Sequence, residues 1–436
     1  MQHSKDLRMA RIPVGIWAQW PDGARWSNEG MTRLLGFLIE GIAESQNYVF
    51  RVVLPNSIRQ AAERDLATLR ATPGLDYTVH SPADAGLGAQ GIEALAKFAD
   101  AHVDVVGWLS IFPTFTAAKY LSAPVTTIFP DAIPTVFHEF SDLAWGPNGN
   151  HVVWRDHVGE MLGRVAKVVT FSNHVAETQA HGLFGVDRAK IRVVPHASPD
   201  LKDDLPFVED RKKTPASVAR AADMLRAYCR ERGAAYFYDF PFESVPYIAV
   251  STQDRVTKNL ISVALALEQM VRRDRISMKV ITTAPLHFGA QWTPLPGMLE
   301  AHQSQFDFLS IPDLPRDVHA AFYHCATVAV HPSFFEGGHA PFPFYEAVSV
   351  GTPCIVARGP HVLEICEKYP ALADFTFDPS DHHAMTALIK EIAADPEKAI
   401  GAQAALYQKM SSRTWGAVAT GYAMAATEHM NSHSDV

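Results

Sequence analysis

Short apolar, β-branched runs alternate along the first half of the chain with longer segments of helical periodicity. These runs are nearly continuous in apolar residues, which is typical of parallel strands covered on both faces. Between the first two runs, apolar residues recur at helical spacing from Met31 to Ile42. Repetition of strand, helix and strand predicts a doubly wound α/β domain. The predicted strands are Ile12–Ala18, Tyr48–Pro55, Asp76–His80, Val103–Leu109, Val125–Phe129, Val168–Phe171 and Ile191–Pro195.

The alternation breaks between Ser198 and Glu243. This stretch contains a charged segment around Asp210–Lys213, an amphipathic helix near Val218–Arg232 and a segment rich in proline and aromatic residues. Polar, irregular segments of this kind commonly separate domains. We therefore predict a domain junction here.

A second α/β series follows the junction, and a helix over Trp415–His429 comes after it. We expect an N-terminal domain over residues 1–200, a C-terminal domain over 201–414, and a last helix within 415–436 that crosses back to the first domain. Two domains also suit the length of 436 residues, because a single core stops growing at about 250–300 residues. The predicted strands of the second series are Tyr247–Thr252, Met278–Thr283, Phe306–Ile311, Val328–His331, Pro353–Ala357 and Phe375–Phe377.

Composition narrows the class of protein. With 47% hydrophobic and 19% charged residues, the chain is typical of a soluble globular protein. The net charge of -9 disfavours a nucleic-acid partner, because surfaces that follow phosphates need an excess of lysine and arginine. Four cysteines are too few for a disulfide framework and show no zinc-site spacing. The start of the chain lacks an apolar signal core, so we expect a reducing cytoplasm.

The segment that begins at His331 carries two carboxylates in a distinctive setting. An apolar strand ends at His331, and a loop of small residues then places Glu336 beside Gly337 and Gly338. A helix that begins near Pro343 carries Glu346. Backbone amides of a glycine loop and a helix N-terminus bind anions, and one carboxylate can accept bonds from two sugar hydroxyls. The pattern predicts a phosphorylated, polyhydroxylated ligand.

A plainer interpretation of the same segment stays open. The segment would then be an ordinary joint between strand and helix, with Glu336 solvated and Glu346 interacting with the helix dipole.

Two cations stand in the loop after the first strand of the second series. Arg255 and Lys258 are three residues apart and follow Ser251, which comes directly after the apolar run. Two fixed cations, one of them able to bind bidentately, suit a diphosphate. Taken alone, the two side chains would more often be a surface pair without a ligand.

These residues together resemble the retaining glycosyltransferases of the two-domain GT-B fold called family 4. Members usually read P-S-x-x-E-G-F-G-x-P-x-x-E-A followed by G-T-P, and Glu336 and Glu346 match the two glutamates. The resemblance implies that Glu336 lies by the donor hexose and Glu346 binds the nucleotide ribose. It also implies that Arg255 and Lys258 grip the donor diphosphate. The chain has nine residues between the glutamates, where the family usually has seven.

The resemblance extends beyond the donor loops. Many members have a His-Asp pair near the donor sugar, where this chain has Pro130 and Asp131; proline keeps the backbone carbonyl that often contacts the sugar. His138 lies nearby in sequence but cannot be given the missing role. Further matching stretches are Phe171–His174, Lys190–Ala197, Gly359–Glu364 and Phe377–Asp381.

A loop rich in tryptophan and polar residues follows the first predicted strand. Because aromatic faces stack on sugar rings and polar groups bind hydroxyls, we expect an acceptor site here. Packing of the tryptophans onto their own domain is the alternative. The candidate acceptor residues are Trp20, Arg25, Trp26, Asn28 and Glu29.

The expected protein is thus a GT-B glycosyltransferase that moves a hexose from a GDP- or UDP-sugar to a hydroxyl of a glycan or lipid-linked glycan. A lipid-linked acceptor would bring it to the inner face of a membrane. We expect no cofactor and no metal, because the chain has no Asp-x-Asp pair to hold Mg²⁺ or Mn²⁺. The alternatives are a nucleotide-sugar hydrolase or epimerase, a phosphorylase-like enzyme dependent on pyridoxal phosphate, and a non-catalytic partner of a glycan-assembly complex. The oligomeric state stays open.

Overall fold

The computed structural model describes residues 11–20, 26, 30–67, 76–88, 91–137, 151–286, 293–338 and 341–429. The chain divides into two compact units. The first comprises Met1–Ala132, Val152–Ala197 and Arg413–Val436, and the second comprises Ile133–His151 and Ser198–Ser412. The helix Ile133–Val136 therefore groups with the second unit, although it precedes the boundary expected at residue 200.

The first unit is built on a seven-stranded sheet in the order β3-β2-β1-β4-β5-β6-β7, and every neighbouring pair is parallel. Its central strands are buried along their length, as expected when helices cover both faces. The strands are β1 (Ile12–Trp17), β2 (Tyr48–Val53), β3 (Tyr77–His80), β4 (Gly107–Ser110), β5 (Val125–Ile128), β6 (Lys167–Thr170) and β7 (Ile191–Val193). The helices of this unit are α1 (Gly30–Ile42), α2 (Asn56–Ala67), α3 (Ile92–His102), α5 (His151–Arg164) and α14 (Trp415–Thr427).

The second unit contains a six-stranded parallel sheet in the order β10-β9-β8-β11-β12-β13. Two groups of buried apolar side chains pack against it. The strands are β8 (Tyr247–Val250), β9 (Lys279–Thr282), β10 (Phe308–Ser310), β11 (Val328–His331), β12 (Cys354–Ala357) and β13 (Thr376–Phe377). The helices are α4 (Ile133–Val136), α6 (Pro215–Glu231), α7 (Leu260–Glu268), α8 (Leu295–Ala301), α9 (Arg316–Cys325), α10 (Phe342–Ser349), α11 (Pro360–Lys368), α12 (His382–Ala394) and α13 (Pro396–Met410).

Two parallel sheets of this kind confirm the predicted α/β class and the two Rossmann-like sheets. Each predicted strand run overlaps one strand of the structure, but the run Val103–Leu109 begins too early. Val103 caps α3 through a bond from its N–H to the Ala99 carbonyl, and the strand begins only at Gly107. Among the described residues, no helix is long and apolar enough to cross a membrane.

The last helix, α14, packs closely on α1 in the first unit. The rings of Phe37 and Trp415 stack with centroids 4.3 Å apart. A Cβ atom at Gly41 would lie only 2.2 Å from the Trp415 carbonyl oxygen, so the two helices meet where α1 has no side chain. The absence of a side chain at residue 41 is thus a condition of this close approach.

This contact generates a stability prediction. Gly41→Ala should lower the free energy of unfolding of the first unit by about 1–3 kcal/mol, because the added methyl must displace the backbone of α14. Gly36→Ala in the same helix is the matched control, since a Cβ there meets nothing within 4 Å. The control should be neutral or stabilising by up to about 1 kcal/mol.

Urea unfolding followed by tryptophan fluorescence measures both variants, because Trp17 and Trp108 are buried in this sheet. Equal stability of Gly41→Ala and Gly36→Ala would contradict the close packing of α1 and α14.

Candidate functional site

The strand order of the second sheet reverses between β8 and β11. From β8 the chain runs outward through β9 and β10, and it then returns to the other side of β8 to form β11. In open parallel sheets, ligands bind beyond the carboxyl ends of the strands at such a reversal. The loops that follow β8 and β11 carry the cations and the first glutamate identified from the sequence.

Backbone and amide bonds join these two loops. The Phe334 N–H donates to the Thr257 carbonyl at 3.0 Å. Asn259 has left-handed backbone geometry, with φ of 53°, and its side-chain amide donates to the Pro332 carbonyl at 3.2 Å and the Pro379 carbonyl at 2.8 Å. Asparagine tolerates this conformation better than most residues with a side chain. The loops are therefore held together without any ligand.

Lys258 and Glu336 form an ion pair across the two loops. The Lys258 Nζ atom lies 2.5 Å from Glu336 Oε1, and the side chains are 17% and 24% exposed. Burial alone would raise the pKa of the Glu336 carboxyl. The opposite effect of Lys258 and His331 is larger, and the pKa falls to about 2. Glu336 is therefore charged at neutral pH and is not the solvated side chain of the plainer interpretation.

Two histidines contact this ion pair, and the sequence analysis gave neither a role. His331 is 5% exposed and ends β11, with its Nε2 atom 3.8 Å from Glu336 Oε1. Burial lowers the pKa of His331 to about 4, so the ring is neutral at pH 7. His361, which is fully buried on α11, accepts a bond from the Glu336 backbone N–H to its Nδ1 atom at 3.3 Å. The one sequence signal was the position of His331 at the end of an apolar strand.

Glu346 lies on α10 and is 1% exposed. The Tyr323 hydroxyl of α9 donates to its Oε2 atom at 3.4 Å. The charge of Glu346 raises the pKa of His331, although burial lowers that pKa more. A surface role in which Glu346 only faces the helix dipole does not fit this burial.

The other residues predicted to bind the donor lie in the loops that follow β8 and β11. Ser251 follows β8, and its hydroxyl lies 2.9 Å from the His319 Nε2 atom. Arg255 is exposed, and its carbonyl accepts a bond from the Lys258 N–H at 2.9 Å. Gly337 and Gly338 directly follow Glu336. Ser251, Arg255, Lys258, Glu336, Gly337 and Gly338 thus lie in the two loops that follow β8 and β11, and Glu346 lies on the next helix, α10.

The remaining candidate site residues belong to the first unit. Pro130 and Asp131 follow β5 and are half-buried. Trp20 and Trp26 are only 6% and 5% exposed, and their rings pack together with centroids 5.1 Å apart. This geometry matches packing of the loop onto its own unit, because neither ring offers an open face for stacking. Outside the described residues lie Arg25, Asn28, Glu29 and His138.

Comparisons with known proteins agree with this architecture. Residues 300–408 match the sequence model of the family described as glycosyl transferases group 1. This match and the fold confirm the resemblance to GT-B glycosyltransferases. In sequence, the chain has no match among the curated proteins.

Solved structures of similar fold cover nearly the whole chain. Sucrose-phosphate synthase from Thermosynechococcus elongatus is 14% identical, with a TM-score of 0.64, over 97% of this chain and 100% of that one. HepE from Anabaena, in complex with UDP-glucose, is 14% identical with a TM-score of 0.63 over the same shares. The catalytic domain of starch synthase IV from Arabidopsis thaliana, bound to ADP and acarbose, is 13% identical with a TM-score of 0.60, over 97% and 99%. The fold of the chain is therefore GT-B.

The ion pair generates a second prediction. In a double-mutant cycle with Lys258→Met and Glu336→Gln, the coupling free energy should be about 1–3 kcal/mol, because the pair is mostly shielded from water. The matched control is the more exposed pair Lys390 and Asp274, 3.0 Å apart in the same unit, with Lys390→Met and Asp274→Asn. Its coupling should stay below about 1 kcal/mol.

Urea unfolding followed by circular dichroism at pH 7 measures both cycles. The pKa of Glu336 is lowered in the folded state, so its contribution is complete above about pH 4.5 and is lost as the pH falls towards about 2. A coupling at Lys258 and Glu336 no larger than in the control would refute the shielded ion pair.

Proposed function

We propose that the protein is a retaining, metal-independent glycosyltransferase that moves a hexose from a nucleotide-diphosphate sugar to an acceptor hydroxyl. The observation that carries this proposal is the set of donor-type residues at the reversal of the second sheet. Lys258 and Glu336 are 78 residues apart in sequence, yet they form an ion pair between the loops that follow β8 and β11, and Glu346 lies on the helix that follows the Glu336 loop. Such a convergence suits a ligand with both phosphates and hydroxyls.

The cations of the β8 loop would stabilise the leaving group. As the glycosidic bond breaks, negative charge grows on the nucleotide diphosphate, and fixed positive charges lower the barrier most when they need no reorganisation. Lys258 and Arg255 lie in the same loop, where Arg255 is exposed. The amides of Gly337 and Gly338 would supply further donors. These groups provide the charge that Mg²⁺ or Mn²⁺ supplies in metal-dependent transferases.

The carboxylates would position the rest of the donor. Glu346 would accept bonds from the ribose hydroxyls, and Glu336 would lie by the hexose, with Ser251 as a further donor contact. The acceptor hydroxyl would attack on the face from which the diphosphate leaves, so the anomeric configuration would be retained. We assign the acceptor, a glycan or lipid-linked glycan, to the first unit. A cytoplasmic site at the inner face of a membrane would suit a lipid-linked acceptor.

The comparisons support the choice of donor class. The HepE structure contains UDP-glucose, and starch synthase IV was solved with ADP and acarbose. Their identity to this chain is too low to select the nucleotide, so the donor can be a UDP-, GDP- or ADP-sugar. A nucleotide-sugar hydrolase would consume donor without an acceptor, and a non-catalytic partner would bind donor without turnover. Both are outcomes that the following experiments distinguish.

The third prediction separates donor binding from turnover. In a thermal-shift panel of UDP, GDP and ADP, one nucleotide should stabilise the wild-type protein by about 2.7 kcal/mol at 100 times its dissociation constant. Glu346→Gln should lose most of this stabilisation and raise KM. Glu336→Gln should keep the stabilisation but lower kcat by roughly 10²-fold, since it removes one preorganised electrostatic contact.

Glu397→Gln, an exposed carboxylate of α13, is the matched control and should change neither constant. Equal changes of KM and kcat in both glutamate variants would contradict the division of roles. Absence of stabilisation by every nucleotide would overturn the proposed donor class.

The fourth prediction concerns metal removal. Transfer should continue in excess EDTA, because the protein's own cations supply the charge. Arg255→Ala and Lys258→Ala should each cost on the order of 3 kcal/mol of transition-state stabilisation, measured as kcat/KM. Lys390→Ala, which removes an exposed lysine of the same unit, should leave kcat/KM unchanged. Loss of transfer in EDTA with recovery in Mn²⁺ would show that the diphosphate site has been assigned to the wrong groups.

A further inference from the structure

Two negatively charged groups would compete for the single positive charge of Lys258. In the structure its ammonium group contacts Glu336 at 2.5 Å, whereas the proposed function, on which this inference rests, needs it at the donor diphosphate. A diphosphate attracts the ammonium more strongly than one carboxylate does, because it carries more negative charge on several oxygens. Donor binding therefore draws Lys258 away from Glu336 or forces it to divide its charge.

Glu336 would then lack a sufficient counter-ion in a shielded place. A carboxylate removed from water and left without a partner is strongly unfavourable, so it either takes up a proton or finds another cation. The groups that face Glu336 are Lys258, His331 and His361. His361 already accepts the Glu336 backbone N–H through its Nδ1 atom.

His331 is the group placed to replace Lys258. Its Nε2 atom lies 3.8 Å from the same Oε1 atom that Lys258 contacts. Neither ring nitrogen of His331 has a hydrogen-bond partner within the part of the chain that the structure describes, although both are buried. The charged groups that face His331 are Glu336, Glu346 and Lys258, and the His361 ring lies edge-on at 6.2 Å. Two carboxylates favour its protonated form, and one lysine opposes it.

We propose that donor binding transfers the role of counter-ion from Lys258 to His331, with uptake of one proton from solvent at the His331 Nε2 atom. The protonated ring then donates to Glu336, and Lys258 serves the diphosphate. The proton returns to solvent when the nucleotide leaves and Lys258 contacts Glu336 again. His331 is thus a positioning residue that keeps Glu336 charged and oriented while the donor is bound.

The low pKa of His331 in the structure is consistent with this exchange. Burial is its main cause, and Lys258 lowers it further, whereas both glutamates raise it. Movement of Lys258 towards a diphosphate removes an opposing charge and adds negative charge nearby, and both changes raise the pKa of His331. Donor affinity should therefore rise as the pH falls from the pKa of His331 in the donor-bound state towards its pKa of about 4 in the free protein.

Calorimetric titration can count the proton directly. The ligand is the nucleotide sugar selected by the thermal-shift panel, because its diphosphate is esterified at both ends and does not titrate near neutral pH. Titration at about pH 6.5 in two buffers of different ionisation enthalpy gives the protons taken up per donor bound. We expect uptake that approaches one proton in the wild type, with an association constant that falls up to tenfold per pH unit between the free-state and bound-state pKa values of His331 and is constant above the bound-state pKa.

Variants assign the proton to its site. His331→Asn should bind donor without uptake and with a flat pH profile, and Glu336→Gln should also lose the uptake, because it has no charge to compensate. The matched control is His302→Asn, which removes an exposed histidine that contacts Glu268 in the same unit. It should keep the wild-type proton count.

The outcomes separate this inference from the proposed function. If the wild type binds no nucleotide sugar, both fall. If it binds donor with no dependence on the buffer, or if His331→Asn keeps the full uptake, the exchange is refuted while the transferase proposal stands. The wild-type proton count can refute the exchange on its own, so the test remains valid even if a variant fails to fold.

Discussion

One ion pair, between Lys258 and Glu336, joins the two loops of the candidate donor site. Opposite charges attract most strongly where water is excluded, and this pair lies in a partly buried position at the reversal of the second sheet. The strand order brings the β8 and β11 loops side by side, and the bonds through Thr257 and Asn259 hold them there. The charge of Lys258 that pairs with Glu336 is the one that a phosphate ligand would compete for.

Glu336 and a bound diphosphate would compete for Lys258, so ligand binding would change the charge balance around Glu336. A buried carboxylate needs a partner in every state of the protein, so its surroundings must contain a second group able to become positive. His331 and His361 adjoin Glu336, and both come from segments at the same sheet edge. A neutral histidine can become this positive group, because its charge changes within the physiological range of pH when its neighbours change.

Close backbone approach is the second constraint, and it acts in both units. In the first unit, Gly41 lets α14 lie against α1, and a methyl group there would overlap the Trp415 carbonyl. In the second unit, Gly351 has φ of 87°, and its Cα lies where a Cβ would come within 2.3 Å of the Arg211 carbonyl oxygen. Both sites exclude side chains for steric reasons, and neither belongs to the candidate donor site.

Local pattern determined the strands, the α/β class and the two carboxylates with their cations, because apolar runs and loop residues depend on near neighbours in the chain. Thus β11 was predicted with its observed bounds, and Glu336, Arg255 and Lys258 were identified as site residues. Only the tertiary structure showed that Lys258 neutralises Glu336, that His331 and His361 adjoin it, and that the rings of Trp20 and Trp26 are buried. The contacts of Glu336 with Lys258 and His361 join segments that are 78 and 25 residues apart in sequence. Periodicity reports which face of an element is buried, but it does not specify which loops meet once the strands are ordered in a sheet.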